Sequence, residues 1–219
     1  TFCAQGEMGQ LPQTIDAALA ERPDAICTLT TPALMAAVQK VAEIPIVFGV
    51  ASDPFKIGLF KDGRPPNACG IHDDPPVGEV LEMARRHDPA LARVGIVYNP
   101  SQINSLISVE KLRTAGKTQQ VEVLEATAAS TTDLDGAARS LIQRGARAII
   151  VSADNLANTG FAVIQRAARE AAVPVYTTDL NLVAEGAAGG VGDDYFSWGR
   201  QSGVLAARVL AGADPGSLP

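Results

Sequence analysis

The feature that most constrains the fold is a pair of short strands that are apolar along almost their whole length. Residues 148–151 read Ala-Ile-Ile-Val, and residues 94–98 read Val-Gly-Ile-Val-Tyr, with no charged residue at alternate positions. Strands of this kind are buried on both faces, which is typical of a parallel sheet covered by helices. The sequence therefore predicts an α/β fold.

Amphipathic helices alternate with the strands. Leu134, Ala137, Ala138, Leu141 and Ile142 follow the spacing of one helix face. Similar patterns predict further strands at 25–29, 45–50, 68–71, 121–124, 173–177 and 187–191, and helices at 10–22, 33–41, 76–87, 102–116, 157–171 and 195–211. This βα order predicts doubly wound sheets, in which ligands bind at the carboxyl ends of the strands.

Composition argues against two classes of protein. The 219 residues are 47% apolar, which is enough to form a core, and their formal net charge is −6. Nucleic-acid binding needs clustered Lys and Arg to displace counterions from phosphate, and the sequence has no such cluster. No apolar run reaches the roughly 20 residues that span a bilayer, and no signal-peptide pattern is present.

The three cysteines indicate neither a metal site nor a disulfide framework. Cys3, Cys27 and Cys69 lack metal-ligand spacing, and their odd number leaves at most one bridge open. Cys27 lies within an apolar run and is expected to be buried as a small hydrophobic residue.

Catalytic motifs are weak. The sequence has no nucleophile elbow, phosphate-binding loop or H-E-x-x-H motif. His72, expected in a loop, and His87, expected at a helix end, lack a metal-ligand partner at i+3 or i+4. The glycines at 189–192 are interpreted as a turn, because Asp193 and Asp194 follow and would repel a pyrophosphate. We therefore expect no enzyme, no cofactor and no metal.

Polar side chains follow five of the predicted strands. Helix N-termini with hydroxyl caps bind carboxylates, which is expected for Thr30 and Thr31. Aspartates bind ammonium groups, which is expected for Asp154 and Asp179. Each residue alone is equally well explained as a turn or a helix cap, but five such positions on one sheet edge favour a small zwitterionic ligand. The candidate ligand-binding residues are Thr30, Thr31, Ser52, Asp53, Asn99, Asn104, Ser105, Asp154 and Asp179.

Tyr195 is a tenth candidate. It shares a helix face with Trp198, three residues further along. Its ring either packs against a sheet or stacks on a ligand.

Two stretches after the strands are more distinctive than the rest: Tyr-Asn-Pro-Ser at 98–101 with Asn104 and Ser105, and Gly-Arg-Gln-Ser-Gly at 199–203. Weaker matches lie at 44–48, 52–54, 153–155, 173–174 and 194–195. Together they resemble the substrate-binding components of bacterial ABC importers of the tryptophan/tyrosine-binding type. The resemblance spans nearly the whole chain.

This resemblance implies a type I periplasmic-binding-protein fold, with two Rossmann-like lobes that close about a hinge on a solute in the cleft between them. One lobe is expected to comprise 1–72 and 195–219, and the other 73–194. The implied partners are a small amino-acid-like solute, for which aromatic amino acids are among the candidates, and a membrane permease. A monomeric protein outside the cytoplasm, membrane-associated if lipidated, is expected.

The sequence also departs from the family pattern. The first βα unit is missing before Thr1, so the first lobe is expected to be incomplete. His72 stands where the family has serine, and Leu180 where it has an acidic residue. Both changes adjoin the expected pocket, so they leave the identity of the ligand open.

Two other functions remain open at this point. The same fold serves as the ligand-sensing effector domain of bacterial regulators, which would require a DNA-binding headpiece. A doubly wound enzyme is less favoured, because it would require a nucleophile with its base or a cofactor loop.

Overall fold

The computed structural model describes residues 1–4, 8–192 and 195–219. Its strands are β1 (Ile26–Leu29), β2 (Ile46–Ser52), β3 (Ala68–Asp73), β4 (Arg93–Tyr98), β5 (Glu122–Thr127), β6 (Ala148–Val151), β7 (Val175–Thr177) and β8 (Gly189–Gly190). Its helices are α1 (Leu11–Ala20), α2 (Thr31–Lys40), α3 (Val77–His87), α4 (Ile103–Gln119), α5 (Leu134–Gln143), α6 (Asn155–Thr159), α7 (Phe161–Glu170), α8 (Asn181–Ala184) and α9 (Tyr195–Leu210). These elements form two compact units: unit 1, residues 1–74 and 194–219, and unit 2, residues 75–193.

Unit 1 is built on a parallel sheet in the order β1-β2-β3. Leu34 from α2 packs on one face of the sheet with Phe48 and Phe60. On the other face, α9 covers β2 and β3 and buries Val47 and Cys69 beneath Leu205 and Val209. The sheet is therefore sandwiched by helices.

Unit 2 is built on a five-stranded parallel sheet in the order β5-β4-β6-β7-β8. In β6, Ile149 and Val151 join the core beneath α5 and α7, whereas Ala148 and Ile150 join the core beneath α3 and α4. Because each face of β6 meets a helical layer, all four of its residues are buried. This confirms the α/β prediction drawn from the apolar strands.

Several predicted elements have different bounds in the structure. The predicted helix 157–171 is two helices that meet at Gly160, where a Cβ would clash with Leu134 Cδ1. Strand β7 begins at Val175 rather than at 173, because the Val173 N–H donates to Ala168 O at the end of α7. The predicted strand 187–191 is only Gly189–Gly190, so two of the glycines interpreted as a turn pair with β7 instead. The aspartates at 193–194 lie outside the described residues.

Two single-residue expectations are wrong. Cys27 is exposed rather than buried, because β1 is an edge strand and α9 packs mainly on β2 and β3. His72 lies in β3, paired with Ala51, rather than in a loop. Within the described part of the chain, no helix is long and apolar enough to cross a membrane.

Substitution of Leu141 tests how much core packing stabilises unit 2. This leucine is fully buried, and it packs so closely on β4 that a Cβ at Gly95 would lie 2.9 Å from its Cδ1. We expect Leu141→Ala to lower the free energy of unfolding by about 3 kcal/mol, since the cavity cannot collapse fully. Leu106→Ala in α4, where the leucine is 41% exposed, is the matched control and should cost less than about 1 kcal/mol in urea titrations. Equal losses would contradict this account of the core.

Candidate functional site

A buried carboxylate joins the carboxyl ends of β4 and β6 in unit 2. Asp154 Oδ2 accepts hydrogen bonds from the backbone N–H of Asn99 and from the Ser105 hydroxyl, both at 2.6 Å. Its Oδ1 accepts from Ala157 N at 2.8 Å and so caps α6. One side chain therefore fixes the loop after β4, the first turn of α4 and the start of α6.

Amide side chains extend this network along the same edge. Gln102 Oε1 accepts from Asn155 Nδ2 at 2.6 Å, and the Asn104 amide donates to Ala153 O at 2.5 Å. Gln102 occupies the N-cap position of α4 but makes no side-chain cap hydrogen bond. The first N–H groups of α4, which have no acceptor within the helix, are therefore not capped by this side chain.

Asn104 carries an unmet acceptor. Its side chain is buried, and its Oδ1 has no hydrogen-bond partner among the described residues. Since the Asn104 amide nitrogen points to Ala153 O, the orientation of the oxygen is fixed by the network. A buried acceptor without a donor costs about 1–3 kcal/mol, so a ligand that brings an N–H or O–H donor would recover that free energy.

A second interaction holds the end of β4 beside β5. The Tyr98 hydroxyl donates to Glu125 Oε2 at 3.2 Å, and Arg113 donates to both carboxylate oxygens at 2.7 and 2.9 Å. The hydrogen bonds from Arg113 hold the pKa of Glu125 below its usual range. Burial, and then the charge of Glu125, raise the pKa of Tyr98. The residue just before Asn99 is thus tied to its neighbouring strand.

Asp179, after β7, is more accessible than Asp154. It is half-buried, and its Oδ1 accepts from both the backbone and the side-chain amide of Asn181 at 3.0 Å. Its own N–H donates to Thr177 Oγ1 at 2.9 Å. The turn therefore holds the carboxylate in place by one of its oxygens.

In unit 1, a hydroxyl plays the part that a carboxylate plays in unit 2. Thr31 Oγ1 accepts from Ser52 N at 2.9 Å, and both residues are buried, so the ends of β1 and β2 are joined. We expected Thr30 and Thr31 to cap α2, but Thr30, at the N-cap, makes no side-chain cap hydrogen bond. The Thr31 hydroxyl instead bonds to the neighbouring strand end.

The backbone at this edge of unit 1 is strained. Thr30 has φ +83° and ψ +152°, and Val50 has φ +50°. Both are β-branched residues in conformations that normally favour glycine. The pairing of β2 with β3 shifts between Phe48 and Ala51, which accommodates Val50. Strain of this kind persists only where the surrounding structure holds it in place.

The loop after β2 is held by Asp53. Its Oδ1 accepts from Phe55 N at 2.9 Å and Lys56 N at 3.3 Å, and the Lys56 ammonium lies 3.8 Å from its Oδ2.

Tyr195 in α9 is half-buried and packs edge-to-face on Trp198, with ring centroids 5.4 Å apart. Its predicted contact with a ligand stays a prediction.

The structure divides the ten predicted site residues into groups. In unit 2, Asn99, Ser105 and Asp154 belong to one hydrogen-bonded network, Asn104 adjoins them, and Asp179 stands apart. In unit 1, Thr31 and Ser52 are joined, whereas Thr30, Asp53 and Tyr195 have separate surroundings. We expected Asp154 to bind an ammonium, but its oxygens accept from three protein donors and it is 1% exposed. These three hydrogen bonds position the edge.

Two members of the network, Gln102 and Asn155, are not among the predicted site residues. Gln102 is buried and accepts the Asn155 amide. Gln102 lies between Ser101 and Asn104, so the polar run in the sequence could have indicated that it belongs to the site. An amide side chain at the start of a helix, however, usually caps the helix and contacts solvent. In the described residues, no three His, Cys, Asp or Glu side chains cluster as a metal site would require.

The family model described as ABC transporter substrate binding protein matches residues 2–219. The "Tyrosine-binding protein" of Clostridioides difficile is 28% identical over 99% of this chain, which covers 63% of that protein. An uncharacterized protein of Rickettsia prowazekii is 20% identical over 90% of this chain and is covered to 60%. The chain thus spans about three fifths of the length of these curated relatives.

Solved structures agree in fold. A conserved domain protein from Vibrio cholerae superposes with a TM-score of 0.92 at 30% identity, covering 98% of this chain and 73% of that chain. The ABC domain from Streptococcus pneumoniae in complex with L-Trp gives a TM-score of 0.91 at 23% identity, covering 99% and 74%. At that identity the second match shows the fold alone. Type I periplasmic binding proteins share this architecture, as the sequence resemblance implied.

The Asp154 network yields a test of stability. In Asp154→Asn an amide nitrogen replaces one oxygen and must face either Ala157 N–H or Asn99 N–H, so at least one buried hydrogen bond is lost. We expect a loss of about 2 kcal/mol in the free energy of unfolding, measured by urea titration. Asp179→Asn keeps the oxygen that accepts from Asn181 and should change stability by less than about 0.5 kcal/mol. A small, equal effect of both would remove the central role given to Asp154.

Proposed function

Because this chain belongs to the family of ABC transporter substrate-binding proteins, we propose that it is the solute-binding component of a bacterial ABC importer. Its solute is a small amino-acid-like molecule, and its protein partner is a membrane permease. It acts outside the cytoplasm, as a monomer, and catalyses no reaction. The name of the Clostridioides difficile relative and the L-Trp complex of the Streptococcus pneumoniae structure support an amino-acid solute with an aromatic side chain.

The observation that carries this proposal is the buried Asn104 oxygen at the edge of unit 2, which has no hydrogen-bond partner among the described residues. It lies at the carboxyl ends of the strands, where open α/β sheets bind their ligands. The residues around it are held in place by hydrogen bonds within the protein. A preorganised acceptor suits a receptor for a solute that carries N–H donors, because little ordering entropy is lost on binding.

Asp179 is the proposed contact for the ammonium group. Its carboxylate is half-buried, and its turn orients it through Asn181. A charge-assisted hydrogen bond to such a carboxylate is roughly twice as strong as a neutral one. Asp154 is not the proposed contact, because it is 1% exposed and its oxygens already accept from three protein donors.

The N-terminus of α2 is the proposed contact for the carboxylate group. The helix has ten residues, begins with Thr31 and Pro32, and has no side-chain cap from Thr30. Its dipole places partial positive charge at this end, and its first N–H groups lack acceptors within the helix. The strained Thr30 backbone is consistent with a segment shaped for binding rather than for stability.

Ligand analogues test the proposal at the level of the solute. We expect L-tyrosine or L-tryptophan to raise the melting temperature of the protein and to bind with measurable heat in titration calorimetry. N-acetylation removes the ammonium and esterification removes the carboxylate, so each analogue should bind at least about tenfold more weakly, which corresponds to about 1.4 kcal/mol. The proposal fails if none of L-tyrosine, L-tryptophan and L-leucine binds, or if the analogues bind as well as the parent compounds.

Asp179→Asn tests the assignment of the ammonium contact. The variant keeps the turn but loses the charge, so we expect about a tenfold loss of affinity for the amino acid and little loss for its N-acetyl analogue. Asp88→Asn is the matched control, because Asp88 caps a similar turn through Ala90 N but lies before β4, at the opposite edge of the sheet. Titration calorimetry of both variants would contradict the assignment if Asp179→Asn bound like the control.

A further inference from the structure

Three phenylalanine rings form a column from the core of unit 1 to its surface. Phe48 in β2 and Phe60 are both buried, with ring centroids 6.0 Å apart. Phe55 packs edge-on against Phe60 at 5.5 Å, with an interplanar angle of 81°. Yet Phe55 itself is 56% exposed. The outermost ring of the column is therefore held from below and open on its other side.

The backbone of Phe55 is held as firmly as its ring. Its N–H donates to Asp53 Oδ1 at 2.9 Å, and the next residue, Lys56, donates to the same oxygen. The Lys56 ammonium also lies 3.5 Å from Asp74 Oδ1. Pro54, just before Phe55, is buried, and the Phe60 N–H donates to Pro54 O at 3.0 Å. The turn is closed by these bonds, so Phe55 is exposed by the local structure and not by fraying.

Position adds to this geometry. Phe55 follows the carboxyl end of β2 by three residues, on the edge that also carries Thr30, Thr31 and Ser52. Ligands of open α/β sheets bind at this edge. A large aromatic ring exposed there keeps apolar surface in contact with water. Covering that surface would be favourable by about 25 cal/mol of free energy for each Å². Because the ring already packs against Phe60, less side-chain entropy is lost when another apolar group covers it than for a ring without such a contact.

We propose that Phe55 is a specificity-determining residue that packs against an aromatic side chain of the solute. This inference rests on the proposed function and extends it, because it names the protein surface that distinguishes aromatic from aliphatic amino acids. Aromatic pairs contribute about 0.5–1.5 kcal/mol beyond the area that they bury, so a ring at this position favours an aromatic ligand. Neither the polar strand ends nor the network at Asp154 supplies such a preference.

The experiment compares three variants with the wild-type protein by titration calorimetry against L-tyrosine, L-tryptophan and L-leucine. Phe55→Leu removes the ring but keeps apolar contact with Phe60, so affinity for the aromatic ligands should fall about five- to tenfold while affinity for L-leucine changes less than twofold. Phe55→Tyr retains the ring and should bind like the wild type. Phe196→Leu, in α9, replaces another exposed phenylalanine, which is 81% exposed, and serves as the control.

The outcomes separate the two proposals. If the wild type binds none of the three ligands, the proposed function fails and this inference fails with it. If the wild type binds an aromatic ligand and Phe55→Leu binds it equally well, or loses affinity for all ligands alike, only the role of Phe55 is overturned. If the wild type binds L-leucine more tightly than the two aromatic ligands, the role of Phe55 is likewise overturned. Melting temperatures of the variants within about 3 °C of the wild type show that the fold is retained.

Discussion

The edge of unit 2 depends on one buried carboxylate. Asp154 accepts three hydrogen bonds, from the segment after β4, from the first turn of α4 and from the first turn of α6. A buried charged group without donors is costly, whereas donors already in place make it a rigid junction. The positions of Asn99, Asn104 and Ser105 follow from this junction. The order of the candidate ligand contacts at this edge therefore depends on the hydrogen bonds of Asp154.

In unit 1 the ends of the strands are held together by weaker interactions. One hydrogen bond from Ser52 N to the Thr31 hydroxyl joins two strand ends, and strained backbone at Thr30 and Val50 completes the edge. A neutral hydrogen bond contributes about 1 kcal/mol, which is less than a charge-assisted one. The column of Phe48, Phe60 and Phe55 adds rigidity that hydrogen bonds do not provide here. The contacts proposed for unit 2 are polar groups, and those proposed for unit 1 are a helix end and a ring.

This division of roles agrees with a binding protein. Asp154 and Ser105 are engaged in hydrogen bonds within the protein and position the edge of unit 2. The family and the structural neighbours are substrate-binding transport proteins, and these comparisons favour transport over the effector domain of a regulator. Asn104 and Asp179 are the groups of unit 2 that the solute-binding proposal depends on.

The sequence alone determined the fold class and the edge that carries the polar residues, because apolar strands and helix periodicity reflect burial, which is a local property of each segment. Burial is also why Ile149, Ile150 and Val151 were assigned correctly, while Cys27 was not, since its exposure depends on where α9 packs. The roles of Asp154, Gln102 and Phe55 were decided by tertiary structure. An aspartate after a strand has the same sequence signature whether its oxygens meet solvent or three buried donors, and only the packed chain brings Asn99, Ser105 and Ala157 to one carboxylate.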